Sequence, residues 1–501
     1  MLIRELLEGA ARTVLGSDTV DVTEIVIDSK KVTAGSLFVA VKGIARDGHE
    51  FLPEAVARGA ASLVVEDEAR VPPGFDGTVV VVPGARAALN HLSSRFYGEP
   101  GHHLFCVGVT GTDGKTTVAW MIEAVLAAGG MPTGVIGTVD HHFGGHTWPG
   151  DTTPPPLALQ ERLSQFLALG ARAVALEATS QGLSQSRVTG VPFDVAVFTS
   201  LTRDHLDYHR TLEAYFEAKE RLFTEALAAT PKSPCHAIVN LDTPYGARIR
   251  VPAKATRWTY GRRGSGADLE YEVVMTGLAG SVFRLTAMGE EAELRLSMLG
   301  GFNGANALAA VAVGLAAGVD FRVCVGALGR FAGVPGRVQR VLHPGDRAVF
   351  IDYAHDPDAF DKLLTTARAA MRHERTGARL VTVFGCGGDR DRGKRPLMLE
   401  AALRSSDQVV LTSDNPRSED PRVIVDEILT GLASPADEGR IVVELDRTKA
   451  IQLALRSSAE HDVVMVLGKG HEPYQIVGGQ RLPFSDYAVA ETALRSAATE
   501  Q

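Results

Sequence analysis

The sequence predicts an α/β protein of three domains: a small α/β domain over residues 1–97, a central P-loop-type domain with a mostly parallel sheet over 98–334, and a Rossmann-like C-terminal domain over 335–501. Three observations predict it. A chain of 501 residues corresponds to roughly three domains at about 150 residues each. Short apolar runs bounded by turn residues alternate with helical stretches, the pattern of helices packed on the faces of a parallel sheet. Around "GVPGRVQRV" (333–341) that pattern restarts, and four further strand-like runs each end in a polar cluster.

In the first domain the runs 24–27, 36–41, 62–65 and 78–82 are too short for helices and read as strands. "YGEPGHH" (97–103) reads as a linker. The central domain opens with a buried-strand signal at 104–110, then a glycine loop, then a helical segment over 116–128 that Gly129 and Gly130 stop. Further strand runs lie at 173–176, 195–198 and 236–239, and the alanine-rich stretch 307–319 reads as a buried helix. In the last domain "AVFIDYAHD", "LVTVFGCGGDRDRGK", "VVLTSDNPR" and "VVMVLGKGHE" place their polar clusters after strands. That is where open α/β sheets bind ligands.

Composition excludes several classes. The content is 45% hydrophobic and 22% charged, with frequent glycine, few aromatics and a net charge of −9. Without clustered Lys and Arg, a nucleic-acid partner is disfavoured. The four cysteines form no C-x-x-C pair, which argues against a zinc site or a disulfide framework and fits a reducing cytoplasm. The N-terminal "MLIRELLEGA" is too short and charged for a signal peptide. No apolar stretch reaches the roughly 18 residues of a membrane span. The expected location is the cytoplasm and the expected state a monomer.

"GVTGTDGKTT" (108–117) has strand–loop–helix context but departs from G-x-x-x-x-G-K-[ST], because position 109 is valine. Gly111 and Gly114 can turn backbone N–H groups toward a phosphate, Lys115 can reach terminal phosphates, and Thr116 can hold Mg²⁺. "LEATSQGLSQSR" (176–187) puts Glu177 at a strand end, where a carboxylate can ligate Mg²⁺ or simply cap a loop. "FTSLTRDHLDYH" (198–209) adds Asp204, His205, Asp207 and His209 after another strand. A Thr, a Glu and a His near one nucleotide point to a hard-cation site. "EAKERLF" (217–223) reads as an amphipathic helix, on which Lys219 is a surface lysine by pattern alone. "GGFNGANALAA" (300–310) sets Asn303 and Asn306 on one helix face, suited to an adenine edge or to helix capping.

"GTDGKTT", "EATSQGLSQSR", "TRDHLDYH", "FNGAN", "PGR", "DYAHDPDA", "GCGGDRDRGKRPLM", "DNPR" and "GKGHE" occur in the order found in Mur ligases. The resemblance covers all three domains and is greatest to the members that add the third residue of the peptidoglycan stem. The shorter family loop, T-G-T-[ND]-G-K-T, accounts for Val109. The resemblance implies an ATP-dependent ligase acting on UDP-N-acetylmuramoyl-L-alanyl-D-glutamate and a diamino acid through an acyl phosphate. It implies an ATP loop at Gly111, Thr112, Asp113, Gly114, Lys115, Thr116 and Thr117. It implies Mg²⁺ held by Thr116, Glu177 and His205, with Lys219 carbamylated to help hold a second ion. Lys115, Lys219, His205 and Glu177 are the expected catalytic set.

Further ATP contacts implied are Asn303 and Asn306 at the adenine, and Arg337, Asp352 and His355 from the third domain. Ser29, in "DSKKVTAGSLFVAVKG" (28–43), matches a contact to the uridine nucleotide, which makes the first domain the UDP-sugar-binding one. Thr152, Thr153, Thr179, Gln185 and Arg187 match contacts to the muramoyl dipeptide. Arg390, Asp414, Asn415, Pro416, Arg417, Gly468 and Glu472 match the diamino-acid pocket. Meso-diaminopimelate is the favoured donor, because Arg417 can hold a carboxylate with two parallel hydrogen bonds. L-ornithine and L-lysine stay open. Asp113 stands where many members have Asn, and Thr179 and Gln181 where Ser and His are commoner; a role resting on a histidine at 181 is therefore not carried over. Other readings remain at this point. Folylpolyglutamate synthase would lack the uridine-nucleotide domain, and a dipeptide-adding Mur ligase fits "DNPR" and "GKGHE" less well. A regulatory ATPase or pseudoenzyme would not need both substrates to release phosphate.

Overall fold

The structure, a computed structural model, describes residues 1–10, 12–43, 46–343 and 347–499. The chain divides into two compact units. One holds Met1–Glu270 and Leu308–Cys324; the other holds Tyr271–Ala307 and Val325–Gln501. The architecture is α/β, with three mixed, mostly parallel sheets.

The first unit begins with strands β1 (Thr13–Leu15), β2 (Glu24–Val26), β3 (Ser36–Val39), β4 (Ser62–Val65) and β5 (Thr78–Val81), ordered β1-β5-β4-β3-β2. All neighbours are parallel except β1 with β5. Every residue of β3 and β4 is buried, as in a parallel sheet covered on both faces. Alternate residues feed two apolar layers: Leu37, Val39 and Val64 pack with Leu89 and Leu92, while Phe38, Leu63 and Val65 pack with Leu52. Over 97–103 the helix Ala85–Phe96 gives way to a short 3₁₀ turn, Pro100–His102.

The same unit continues with β6 (Phe105–Thr110), β7 (Thr133–Ile136), β8 (His141–Phe143), β9 (His146–Trp148), β10 (Ala173–Glu177), β11 (Val195–Phe198), β12 (Cys235–Asn240) and β13 (Ala255–Arg262). Their order is β13-β12-β11-β6-β10-β7-β8-β9. Pairing is parallel from β13 to β7, then antiparallel through β8 and β9. The register sets Glu177 opposite Val109 and Phe198 opposite Thr110. The loops leaving β6, β10 and β11 therefore emerge side by side, and these are the loops with polar motifs.

In the second unit β14 (Leu269–Gly277), β15 (Gly280–Ala287) and β16 (Glu290–Leu296) run in order, β15 pairing antiparallel with β16. No continuous apolar run over 255–296 predicts these strands. A separate sheet follows: β17 (Gln339–Arg340), β18 (Ala348–Asp352), β19 (Leu380–Phe384), β20 (Gln408–Leu411), β21 (Ile441–Val443) and β22 (Val463–Leu467), ordered β17-β18-β22-β19-β20-β21. All pairs are parallel except β17 with β18. Its strands carry the four C-terminal runs, so their polar clusters share one sheet edge. A hairpin, β23 (Tyr474–Val477) and β24 (Gln480–Pro483), follows β22. Among the described residues, no helix is long and apolar enough to cross a membrane.

Candidate active site

The loop after β6 is built on two glycines. Gly111 has φ +150°, and a Cβ there would lie 1.9 Å from Thr199 Oγ1. Gly114, at φ 85°, is the left-handed cap of the helix Lys115–Ala128. The loop is tied to the chain leaving β11: Thr112 N donates to Ser200 O at 2.9 Å, Asp113 N to Ser200 Oγ at 3.0 Å, and Thr199 Oγ1 to Asp113 O at 2.6 Å. Lys115 Nζ curls back onto Gly111 O (3.0 Å) and Thr112 O (2.8 Å). Thr116 and Thr117 are buried in the first helical turn. A helix N-terminus following such a loop is a ready anion site.

Lys219 is not a surface residue. Its side chain is 1% exposed, donates to Gly111 O at 2.6 Å and lies 4.4 Å from the Tyr215 ring centre. Burial, reinforced by nearby Lys115, pushes its pKa well below the ordinary lysine value. Tyr215, one turn earlier on the helix Leu212–Arg221, was not singled out from sequence. Its hydroxyl meets Thr112 Oγ1 at 3.2 Å, and its ring lies 6.0 Å from that of His205. The i, i+4 spacing of Tyr215 and Lys219 was the available signal.

His205 takes a left-handed backbone, φ 52°, at the cap of the short helix Leu206–His209. Burial lowers its pKa more than adjacent Asp204 raises it. Glu177 is 0% exposed. Its carboxylate accepts from Thr116 Oγ1 (3.0 Å), Thr138 N (2.8 Å) and Thr138 Oγ1 (2.9 Å). Among the described residues, no three His, Cys, Asp or Glu gather as a ready-made metal cage. The pairing of a buried carboxylate with a phosphate-loop hydroxyl nonetheless suits Mg²⁺, which is commonly held by one or two carboxylates plus substrate phosphates. The residues present fit the ion.

Glu177 also anchors the next cluster. Thr153 Oγ1 donates to Glu177 O at 2.7 Å and meets Thr179 Oγ1 at 2.9 Å. Thr179 caps the helix Ser180–Ser184. Thr152 Oγ1 approaches Thr138 Oγ1 at 3.4 Å. Arg187 donates to Thr153 O (2.7 Å) and, through Nε and NH2, to Gln185 Oε1 (3.1 and 2.9 Å). Gln185 Nε2 reaches the Tyr208 hydroxyl at 3.3 Å. The five residues read from "DTT" and "EATSQGLSQSR" are thus brought together.

Two further residues here escaped sequence reading. Arg86 donates to Lys42 O (2.7 Å) and Gln185 O (3.4 Å), linking the N-terminal sheet to this cluster. His141, buried in β8, meets Asp151 O through Nε2 at 2.9 Å, beside Thr152 and Thr153. Ser29 is buried, and its hydroxyl donates to Glu54 Oε2 at 2.6 Å.

In the second unit Asn303 is 0% exposed. Its Nδ2 donates to Leu299 O and its Oδ1 accepts from Asn306 Nδ2, both at 3.1 Å. Asp352 clasps two loops, accepting from Ala354 N (2.6 Å) and Val338 N (2.7 Å), and burial raises its pKa. The Arg337 guanidinium lies 4.9 Å from the Tyr353 ring centre, and His355 Nδ1 meets Tyr353 O at 2.9 Å.

Beyond β19, β20 and β22, Arg417 has a left-handed φ of 54° and donates to Gly388 O at 2.6 Å. Its backbone N–H bonds Ile476 O of the hairpin at 3.0 Å. Asp414 accepts from Asn415 N at 2.7 Å. The peptide oxygen of Pro416 lies so near Gly388 that a Cβ there would sit 1.9 Å from it. A Cβ on Gly468 would sit 2.8 Å from Asp414 Oδ2. Asn415 Nδ2 donates to Glu472 Oε2 at 2.8 Å. Arg390 is exposed on the neighbouring loop. Lys469, fully buried between these loops, was not singled out from sequence.

A glycine loop opening a helix, with a buried lysine against it and a separate α/β sheet bearing polar loops, defines a P-loop-type nucleotide-binding enzyme fold. The chain belongs to the Mur ligase family. Family models match along its length: the Mur ligase family catalytic domain over 21–97, the middle domain over 109–314 and the glutamate ligase domain over 336–470. It is 42% identical over 499 residues to the UDP-N-acetylmuramoyl-L-alanyl-D-glutamate–2,6-diaminopimelate ligase of Geobacter metallireducens, covering 96% of this chain and 95% of that protein. The counterpart in Aquifex aeolicus is 40% identical, with 94% and 93% covered. A solved structure of a ligase of the same name superposes with a TM-score of 0.71 at 32% identity, covering 99% of each chain. Folylpolyglutamate synthase of Mycobacterium tuberculosis shares the fold alone, at 18% identity and a TM-score of 0.61 over 82% of this chain.

Proposed function

We propose that this ligase joins meso-2,6-diaminopimelate to UDP-N-acetylmuramoyl-L-alanyl-D-glutamate, using ATP, in peptidoglycan precursor synthesis in the cytoplasm. Full-length similarity to ligases of that name supports the substrates. The observation that carries the chemistry is the double use of Glu177. Its carboxylate bonds the phosphate-loop hydroxyl of Thr116, while its backbone carbonyl bonds Thr153 of the acceptor cluster. In this reading one residue ties the loop that would meet the transferable phosphate to the cluster that would hold the accepting carboxylate, which is the positioning such a reaction needs.

In this reading residues 1–97 hold the uridine nucleotide, 98–334 the ATP and 335–501 the diamino acid. Lys115 leaves its own loop carbonyls to meet the terminal phosphates. Thr152, Thr153, Thr179, Gln185 and Arg187 orient the acceptor, so that a D-glutamyl carboxylate oxygen attacks the γ-phosphorus and ADP departs. The donor amine then attacks the acyl carbon; phosphate leaves and the nitrogen gives up a proton. Asn303, Asn306, Arg337, Asp352 and His355 serve ATP, and the loops bearing Arg390, Arg417 and Glu472 hold the donor. Thr116, Glu177 and His205, with a carbamate on Lys219, would hold Mg²⁺, which when bound offsets the phosphate charge. Burial suits Lys219 to that role, because only an uncharged amine takes up CO₂.

Acceptor labelled with ¹⁸O in its D-glutamyl side-chain carboxylate tests the route. One labelled oxygen should appear in the released phosphate per turnover. Unlabelled phosphate alongside normal ligation would rule out the acyl phosphate.

A further inference from the structure

Lys469 stands in "GKGHE" between Gly468 and Glu472, yet the proposed mechanism gives it no task. Its side chain is 0% exposed. Nζ lies 2.9 Å from Glu472 Oε2 and 3.1 Å from Asn415 Oδ1, and 5.7 Å from the Tyr474 ring centre. Asn415 closes the ring by donating Nδ2 to the same Glu472 oxygen at 2.8 Å. Asn415 Oδ1 also accepts from Ile476 N at 2.9 Å. Lysine, asparagine and glutamate therefore form a closed triangle spanning the loops after β20 and β22. Asp414 and Arg447 lie close enough to act electrostatically on the groups around it.

This triangle changes the electrostatics of the proposed donor pocket. A lone Glu472 carboxylate would attract any donor ending in a lone ammonium, as L-lysine and L-ornithine do. With Lys469 held against it, the pair has no net charge, the buried ammonium lying behind a partly exposed carboxylate. Diaminopimelate ends in an ammonium and a carboxylate on one carbon, which is also neutral overall. Such an end exchanges one compensated pair for another, whereas a lone ammonium brings uncompensated charge beside a buried lysine. Like-charge placement of that kind discriminates between partners more than it adds affinity.

We infer that Lys469 is a specificity-determining residue, which rejects donors with a lone terminal ammonium by compensating Glu472. The inference rests on the reading of this site as the diamino-acid pocket. The test is kcat/KM for meso-diaminopimelate and L-lysine in wild type, Lys469→Met, Lys469→Arg and Lys469→Met/Glu472→Gln, with KM for ATP and the melting temperature followed in each. Lys469→Met should narrow the diaminopimelate-to-lysine ratio by at least about tenfold. Lys469→Arg should keep the wild-type ratio. The double variant, lacking both charges, should recover most of the preference. Should Lys469→Met not fold, Lys469→Gln carries the same expectation. A ratio unchanged in Lys469→Met and in Lys469→Gln, with both donors falling equally, would reduce Lys469 to fold support and overturn the inference. Wild type that ignores diaminopimelate would instead overturn the functional reading beneath it.

Discussion

Replacing Lys219 with Met separates the two things its amine does. At pH 7.5 an ordinary lysine, with a pKa near 10.4, is neutral in only about one molecule in a thousand. Lys219 is 1% exposed, and the acceptor of its hydrogen bond, Gly111 O, is a carbonyl rather than a carboxylate. Burial therefore drives its pKa well down, and each unit of that fall gives about tenfold more of the neutral amine that reacts with CO₂. In ¹³C-bicarbonate, NMR should show one carbamate per wild-type chain and none in Lys219→Met. The sign for stability follows from linkage. The folded pKa lies below the unfolded one, so the unfolded chain binds the extra proton, and wild-type stability rises with pH toward about 10.4. This one group contributes a slope of about 1.4 kcal/mol per pH unit, which Lys219→Met should lack. In CO₂-free buffer at pH 7 the Met variant should be the more stable protein, although nearly inactive, with small carboxylates restoring part of the activity. A carbamate signal that survives in Lys219→Met, or equal pH slopes for the two proteins, would refute the reasoning.

His142 is clamped by Asp140 at 2.6 Å and Glu123 at 3.1 Å; burial opposes its charge, but the carboxylates prevail and raise its pKa to about 9. The clamp's stabilisation is full below about 6.5 and lost as pH rises through about 9. The difference in unfolding free energy between wild type and His142→Asn, at most about 3 kcal/mol at pH 6 in denaturant titration, should therefore close by pH 10, and a pH-independent difference would contradict this. Arg447 and Asp486 form a bidentate pair with both side chains 0% exposed, so Asp486→Asn should destabilise the protein by about 3–5 kcal/mol in denaturant titration, and a loss below about 1 kcal/mol would show that the charge is solvated. Arg417→Ala should lower kcat/KM for diaminopimelate by at least about thirtyfold, equivalent to about 2 kcal/mol. If L-lysine falls equally, Arg417 grips the α-carboxylate that the donors share.

Strands that are continuously apolar and bounded by turns were legible in the sequence: 62–65 and 195–198 coincide with β4 and β11. The phosphate loop was legible because glycine, lysine and threonine at fixed offsets are local chemistry. The strands over 255–296 were not. β16, "EEAELRL", has a burial pattern that leaves its glutamates and Arg295 largely at the surface, so it carries no continuous apolar run. Lys219 misled for a different reason. Its neighbour sequence reads as an amphipathic helix with no mark on the lysine, and the carbonyl its amine bonds, Gly111 O, lies 108 residues away. Asn415 likewise meets Lys469 and Glu472 from a loop 54 and 57 residues away. The Lys469–Glu472 pair itself is three residues apart, but its burial and its bridge through Asn415 belong to the fold and leave no local pattern.

The most direct test of the central claim is donor choice by the purified wild-type protein. ATP, Mg²⁺ and UDP-N-acetylmuramoyl-L-alanyl-D-glutamate are supplied with meso-diaminopimelate, L-lysine or L-ornithine in turn, and product mass is read alongside phosphate release. Phosphate should appear only when acceptor and amine are both present. The diaminopimelate adduct should form with kcat/KM at least about a hundredfold above the other donors, since a pocket that bonds a carboxylate rejects a donor lacking it. Preference for lysine or ornithine, or ATP turnover that needs neither substrate, would contradict the account.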